Sequence, residues 1–395
     1  MDNSLSLINV LVEQLEAEDN EAAYNSLLKI GTVVLPYLAE IIKNQNEAID
    51  KRITAINLSG EIESSLAVST LVVATSDQNC YIREASAKAL SWLDYDNKAL
   101  ETLLAAFDNQ DKKVRSGVAF TIGRAALQGI KSSEAVNLLI TALDDESWEV
   151  QEQAARALGV MEANLAVPAL IQLLQSAKNH HVENAILMAL GSIKDERAIE
   201  SLLKLFEATK DSNLRKSIIT TLGMVGSKSG FQVVLDALNS EDKDLRSAAV
   251  ESIGWFHDTK AFEPLLNILE SAETPNNAYA ALSLGILQDQ RALEPLLQSL
   301  KSKNPLVRLY AIRGLGELKN PKSYDYLITL LRSKSADYRY EAAVALGKLG
   351  DVRAVGELKR LATSDFEQVS TVQSDVTVSV AAIEAIKLLS RKSPQ

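Results

Sequence analysis

DQRALEPLLQSLKSKNPLVRLYAIRGLGEL, residues 289–318, reads as two helices joined by a short polar turn. Its first half sets Leu293, Leu296, Leu297 and Leu300 at helical spacing, with Pro295 early, where a missing N–H costs little. Pro305 suits the start of the second helix, which runs through small residues to Gly316. Val307, Ala311, Leu315 and Leu318 fall at i, i+4, i+8 and i+11, one face of a helix, and are its predicted core side. Alanine in the middle lets helices approach closely. The closing glycine suits either a tight turn or close packing.

The same grammar recurs along the chain: AARALG at 154–159, LMALGSI at 187–193, AAVESIG at 248–254, AALSLGIL at 280–287 and AAVALGKL at 342–349. The closing residues are Gly123, Gly159, Gly191, Gly223, Gly254, Gly285, Gly316 and Gly347, with Ser91 in that slot earlier. From Gly159 the steps are 32, 32, 31, 31, 31 and 31 residues. Pro168 and Pro264 repeat the place of Pro295. Such a period marks a solenoid, in which each unit buries its apolar face against its neighbours. The expected fold is therefore an all-α, right-handed superhelical solenoid of about twelve helix-pair repeats. We read it as one continuous array over 1–395, with 1–60 as degenerate N-terminal capping repeats. Residues 363–395 supply a loop insertion and a C-terminal capping helix.

Two irregularities interrupt the period. The step from Gly123 to Gly159 is 36 residues, which places an enlarged loop at 127–133. After Gly347 the next helix end arrives late, so 363–380 forms a second insertion, either a flexible loop or a short extended piece of alternating valines.

Composition narrows the function. With 47% hydrophobic but 5% aromatic residues, the core must be built from Ala, Leu, Ile and Val. The single cysteine, Cys80, excludes a disulfide framework and a thiolate metal cage; it is expected to be partly buried, in a reducing, cytoplasmic setting. The N-terminal stretch reads as an amphipathic helix rather than a signal peptide, and no uninterrupted apolar run reaches membrane-spanning length. A net charge of −11 disfavours nucleic acid as a partner. The charge is uneven: residues 1–50 hold nine acids against two lysines, and residues 301–395 hold sixteen Lys/Arg against ten acids. Partners could be steered by that asymmetry.

An arginine stands eight residues before most closing glycines: Arg115, Arg215, Arg246, Arg308 and Arg339, with Arg83 eight before Ser91. Acids precede them at Asp111, Asp211, Asp242 or Asp244, and Asp337. Carboxylates there can cap the second helix and pair with an arginine of a neighbouring unit, so these charges are read as a structural ladder.

In the form DxxVRxxAAxALGxL…DxRAxxPLLxxL, with DQRALEPLLQSL at 289–300, DERAI at 195–199 and DVRAV at 351–355, the chain resembles the HEAT-like repeats named after phycobilisome lyases. The resemblance covers nearly the whole chain. It is specific for fold and weakly specific for function.

The chain offers little for catalysis. His180 and His181 are adjacent and cannot face one metal from a helix, so a turn or capping role is expected; His257 stands alone. The metal-dependent hydroxylases built on such repeats use His-Glu pairs, and no His-Glu dipeptide occurs here. GMVGSKSG at 223–230 lacks the GK[ST] of a phosphate loop and reads as an inter-repeat turn. No catalytic residue, metal or cofactor is predicted.

The strongest surface signal lies late in the chain. Tyr279 and Tyr310 stand six residues before Gly285 and Gly316, and Tyr338 and Tyr340 flank Arg339 one unit on. Arg313 lies three before its glycine, where neighbouring units carry Glu251, Leu282 and Val344. In arrays of this family the second helices line the concave face, so a row at one slot would follow that groove. We take Tyr279, Arg308, Tyr310, Arg313, Arg339 and Tyr340 as partner-binding candidates. Trp92 and Trp255 are expected to pack between repeats, and Trp148 to be exposed near a turn. The expected function is a non-enzymatic scaffold holding a protein or peptide, without nucleic acid or membrane. The resemblance implies an alternative: a bilin lyase, lyase-isomerase or bilin-handling chaperone for phycobiliproteins.

Overall fold

The computed structural model describes residues 2–16, 20–62, 64–90, 103–105, 107–108, 110–127, 129, 131–271, 275–370 and 376–392. These are helical and contain no strand; an isolated antiparallel bridge joins Gln368 to Thr377. The chain divides into two compact units, Met1–Ala198 and Ile199–Gln395. Each is a stack of helix pairs.

In the second unit the pair quoted above shows how sequence becomes structure. Asp289 caps a short 3-10 turn, Gln290–Ala292, by accepting the Arg291 N–H at 3.0 Å. The helix Leu293–Ser299 follows, with Pro295 inside its first turn, where no intrahelical donor is lost. Asn304 caps Pro305–Leu318 by accepting the Leu306 N–H at 2.9 Å. Val307, Ala311, Leu315 and Leu318 are all buried, as their spacing predicts. Within this unit the second helices Lys243–Ser252, Asn276–Ile286, Pro305–Leu318, Ala336–Leu349 and Val378–Lys392 pack successively on one another.

The closing glycines lie inside the helices and serve close packing. A Cβ on Gly285 would meet the Gly314 carbonyl oxygen at 2.2 Å, and one on Gly316 would meet the Ala345 Cα at 2.7 Å. The turn is made three residues later. Glu162, Lys194, Gly226, His257, Gln288, Lys319 and Gly350 stand there in series, all with positive φ between 50° and 84°. His257 thus occupies a left-handed helix end.

In the first unit, Leu35–Lys43 pairs with Ile49–Glu61, Ser65–Ala74 with Cys80–Leu90, Ser133–Ala142 with Trp148–Val160, and Val167–Ser176 with His180–Ile193. The pattern reaches further back than the sequence reading takes it. A Cβ on Gly60 would lie 2.9 Å from Ala89 Cβ, the contact a closing glycine makes elsewhere, and Arg52 stands eight residues before it. The stretch Glu21–Lys43 is long and apolar enough by composition to cross a membrane, although Lys29 and Glu40 interrupt it and it is no continuous apolar run. Here, however, Leu27, Val34, Leu35, Leu38, Ile41 and Ile42 are buried against the rest of the unit.

Both insertions have local order among their described residues. At 127–133, Gly129 takes a positive φ of 90° and Ser132 caps the next helix, accepting the Ala135 N–H at 3.0 Å; residues 128 and 130 lie outside the description. At 363–380 the described flanks run side by side, the Val369 N–H donating to Val376 O at 3.0 Å beside the bridge, while 371–375 lie outside. Cys80 is exposed rather than partly buried, because it opens a helix at its solvent side. Trp255 is also exposed, at 48%, since the 3-10 turn Ile253–Phe256 swings its ring outward; Trp92 lies outside the described residues.

Candidate functional site

The six candidate residues separate into two groups. Tyr279, Tyr310 and Arg313 come together on consecutive second helices. The Tyr279 and Tyr310 rings meet edge to face with centroids 5.5 Å apart. The Arg313 guanidinium lies 5.0 Å from the Tyr310 ring centroid and donates to the Glu341 carboxylate. Glu341 is buried, at 3% exposure, and stands six residues before Gly347, the slot of Tyr279 and Tyr310. The row therefore runs Tyr279, Tyr310, Glu341, with Tyr340 beside it.

The electrostatics agree with that order. Glu341 raises Arg313 above its ordinary value, outweighing burial. Burial raises the Tyr340 hydroxyl, with Glu341 and Glu384 adding to it and Arg313 opposing. Burial likewise raises Tyr279, reinforced by Glu251 and by Tyr310. Glu251 itself is pushed up by lost hydration, with Lys216 working against the shift.

Arg308 and Arg339 belong to the structural series. Arg308 donates from Nη1 back into its own turn, to the carbonyls of Ser302 and Lys303, and from Nε to the Tyr338 hydroxyl at 2.7 Å. Arg339 is buried; it donates to Ser333 O at 2.9 Å, to Asp365 at 2.6 and 3.1 Å, and to Glu367 at 2.6 Å. It clamps the second insertion onto the Ala336–Leu349 helix. Asp337 also holds the insertion, accepting the Ser370 N–H at 2.9 Å and its hydroxyl at 2.7 Å.

The ladder is thus real but differently wired. Asp111, Asp211 and Asp242 cap their helices, as their position suggests. The recurring acceptor of the arginines is their own turn: Arg83 donates to Asp77 O and Gln78 O, Arg115 to Gln110 O, and Arg246 to Ser240 O. Carboxylates of the next unit join where available. Asp145 takes a two-pronged contact from Arg115 at 2.7 and 2.9 Å, and Asp77 accepts a single hydrogen bond from Nη2 of buried Arg52.

The DxR motif makes a second clasp. Asp195, Asp289 and Asp351 each pair with the arginine two residues on, at 2.6, 2.7 and 2.5 Å. Arg291 then lies 4.0 Å from the Phe262 ring centroid and Arg353 4.0 Å from that of Tyr324, each in the preceding first helix. These charges bind repeat to repeat.

Elsewhere, His180 contacts Glu183 at 3.0 Å and His181 stacks on the exposed Trp148 with centroids 5.4 Å apart. Among the described residues no group of three His, Cys, Asp or Glu side chains is placed to hold a metal. A cleft of about 820 Å³ in the first unit is lined by Thr75, Arg83, Lys112, Lys113, Phe120 and Glu149, with Lys112 and Glu149 paired at 2.9 Å. Burial would raise Glu149, but hydrogen bonds from Ser147 and Lys112 bring it down to about 2.

Comparison with known proteins gives the repeat type directly. The model of HEAT repeats matches residues 35–123, 100–184, 136–223, 167–252, 202–285, 231–303 and 293–374. No curated protein matches the sequence. Among solved structures, yeast importin-β (Kap95p) is 14% identical, covers 98% of this chain and 68% of its own, and superposes with a TM-score of 0.53. The Kap95:Nup1 complex gives 14% identity, 99% and 68% coverage and a TM-score of 0.51. The CpcE and CpcF complex of phycocyanin lyase from Nostoc sp. PCC7120 is 20% identical over 73% of this chain and 94% of its own, with a TM-score of 0.38. At these identities the likeness is one of fold.

Proposed function

Since the chain belongs to the HEAT-repeat family, we propose that it is a non-enzymatic scaffold holding a partner protein or peptide on the second-helix surface of its second unit. The observation that carries this reading is the half-exposed set Tyr279, Tyr310 and Arg313, with Tyr340 alongside. Aromatic and arginine side chains combine large contact area with directional polar groups, and they dominate the energetics of protein interfaces. Arg308 and Arg339 direct donors into the repeats, to Ser302 O and to Asp365, and are left out of the proposed contact set. The concave groove expected of such an array is the place we propose for the partner.

The test is affinity capture from native lysate by wild-type protein and by Tyr310→Ala, with mass spectrometry and an absorption spectrum of each eluate. The ring of Tyr310 is partly exposed, so its loss should leave the fold intact while lowering affinity for a stoichiometric partner by about thirtyfold. A partner retained equally by both proteins overturns this placement. A chromophore band eluting with the partner would transfer the reading to bilin handling.

A further inference from the structure

The middle of the tyrosine row already shows how this surface binds a cation. Arg313 lies against the ring of Tyr310 and is met by the carboxylate of Glu341, so an aromatic face and an acid enclose one guanidinium. All three groups come from the chain itself. Their register is simple: Arg313 stands three residues before one closing glycine, and Glu341, 28 residues on, stands six before the next.

Glu251 and Tyr279 occupy the same two places two units earlier. They are also 28 residues apart, three before Gly254 and six before Gly285. The helices that carry them, Lys243–Ser252 and Asn276–Ile286, pack on one another, so the register that joins Arg313 to Glu341 sets Glu251 and Tyr279 at facing slots. Here the slot that holds an arginine holds an acid, and the slot that holds an acid holds a phenol ring. Glu251 stays open to solvent even though the atoms crowding it raise its carboxyl, and among the described residues it makes no hydrogen bond or ion pair; Lys216 acts on it through its charge alone. The Glu251 carboxylate helps to raise the Tyr279 hydroxyl, which agrees with their proximity. An aromatic face beside an uncompensated carboxylate is the chemistry that recognises an ammonium or guanidinium group.

Resting on the scaffold reading above, we propose that Glu251 and Tyr279 form a receptor for one arginine or lysine side chain of a basic peptide segment in the partner. The segment lies along the tyrosine row, with its cation at the Glu251 end. Arg313, neutralised by Glu341, does not repel it.

The probe is a short fluorescein-labelled arginine–serine peptide, titrated into the full chain by anisotropy at physiological ionic strength. Glu251→Gln and Tyr279→Leu should each weaken binding about tenfold, while Tyr279→Phe, which keeps the ring, should change it less than about twofold. Glu207→Gln removes the same unit of charge from an exposed site on another helix, and it should also change binding less than about twofold. Thermal melts of the variants confirm that each is folded. Equal weakening by Glu251→Gln and Glu207→Gln would show that the peptide senses net charge alone, and would overturn the receptor. So would an absence of binding by the wild type. The scaffold reading fails separately: a native partner lost by Tyr310→Ala but unaffected by Glu251→Gln leaves the scaffold standing and removes this inference.

Discussion

Gly285 and Gly314 oppose each other across two consecutive second helices so closely that a methyl group on Gly285 would lie 2.2 Å from the Gly314 carbonyl oxygen. The neighbour is backbone, which cannot turn aside. Gly285→Ala should therefore destabilise the second unit by about 1–3 kcal/mol through overpacking. Gly356 sits in the Val355–Ser364 helix with open space around it, so Gly356→Ala should instead gain up to about 1 kcal/mol from helix propensity. Urea unfolding of the two variants beside wild type checks both signs. A tolerated Gly285→Ala would mean that the helices can separate.

Lys319 ends Pro305–Leu318 at φ 52°, a left-handed position where any side chain is strained and a β-branched one most of all. Lys319→Gly should hold stability or raise it by up to about 1 kcal/mol, whereas Lys319→Val should lower it by about 1–2 kcal/mol. Thermal melts decide between this and a helix end that simply frays.

These two positions show what the sequence made legible. The period, the core face through Val307, Ala311, Leu315 and Leu318, and the place of each helix pair all follow from spacing, because burial against a neighbour repeats with the chain. The purpose of the closing glycine did not follow. A glycine near a helix end looks the same whether it turns the chain or admits a neighbouring backbone. Nor did the true turn three residues on, where Glu162, Lys194, His257, Gln288 and Lys319 carry no residue type that announces a left-handed backbone.

The candidate surface was legible in the same uneven way. Tyr279, Tyr310 and Arg313 stand at outward slots and meet there. Arg308 and Arg339 look alike in sequence, but their slot, eight before the glycine, points back to the turn, where carbonyls take up their donors. Glu341 escaped notice because its residue type changes while its slot is that of the tyrosines. Gly60 and Arg52 were detectable, since they stand 31 residues before Ser91 and Arg83.

Arg339 joins the second insertion to the repeat beneath it through Asp365 and Glu367, with both Arg339 and Asp365 largely buried. Arg339→Met keeps much of the side-chain volume and removes the charge, leaving Asp365 unpaired. The expected cost is about 2–4 kcal/mol, with the insertion loosened first. Limited proteolysis should show faster cleavage within 363–380 before global unfolding. Cleavage at the wild-type rate would show that Asp337 and the bridge hold the segment alone.

Acid should weaken the first unit through two arginine-paired carboxylates. Burial acts to raise Asp77, but the hydrogen bond from Arg52, with others from the Asn79 N–H and Gln45, leaves it below the ordinary range. Asp145 is lowered in the same way: burial opposes, and Arg115 and the Ser147 N–H prevail. A carboxyl depressed in the folded state binds its proton more readily once unfolded. Its stabilisation is therefore complete above the unfolded value of about 3.9 and is lost as pH falls through the lower folded value. Wild-type stability should decline steadily below about pH 4. Asp77→Asn should start lower at neutral pH by about 3 kcal/mol, because Arg52 remains buried without its counter-charge, and should then decline less steeply in acid. Urea midpoints measured from neutral pH down to about pH 3 read both effects. Parallel curves for the two proteins would show that Asp77 keeps its proton affinity on folding, and that the Arg52 pair contributes packing rather than charge.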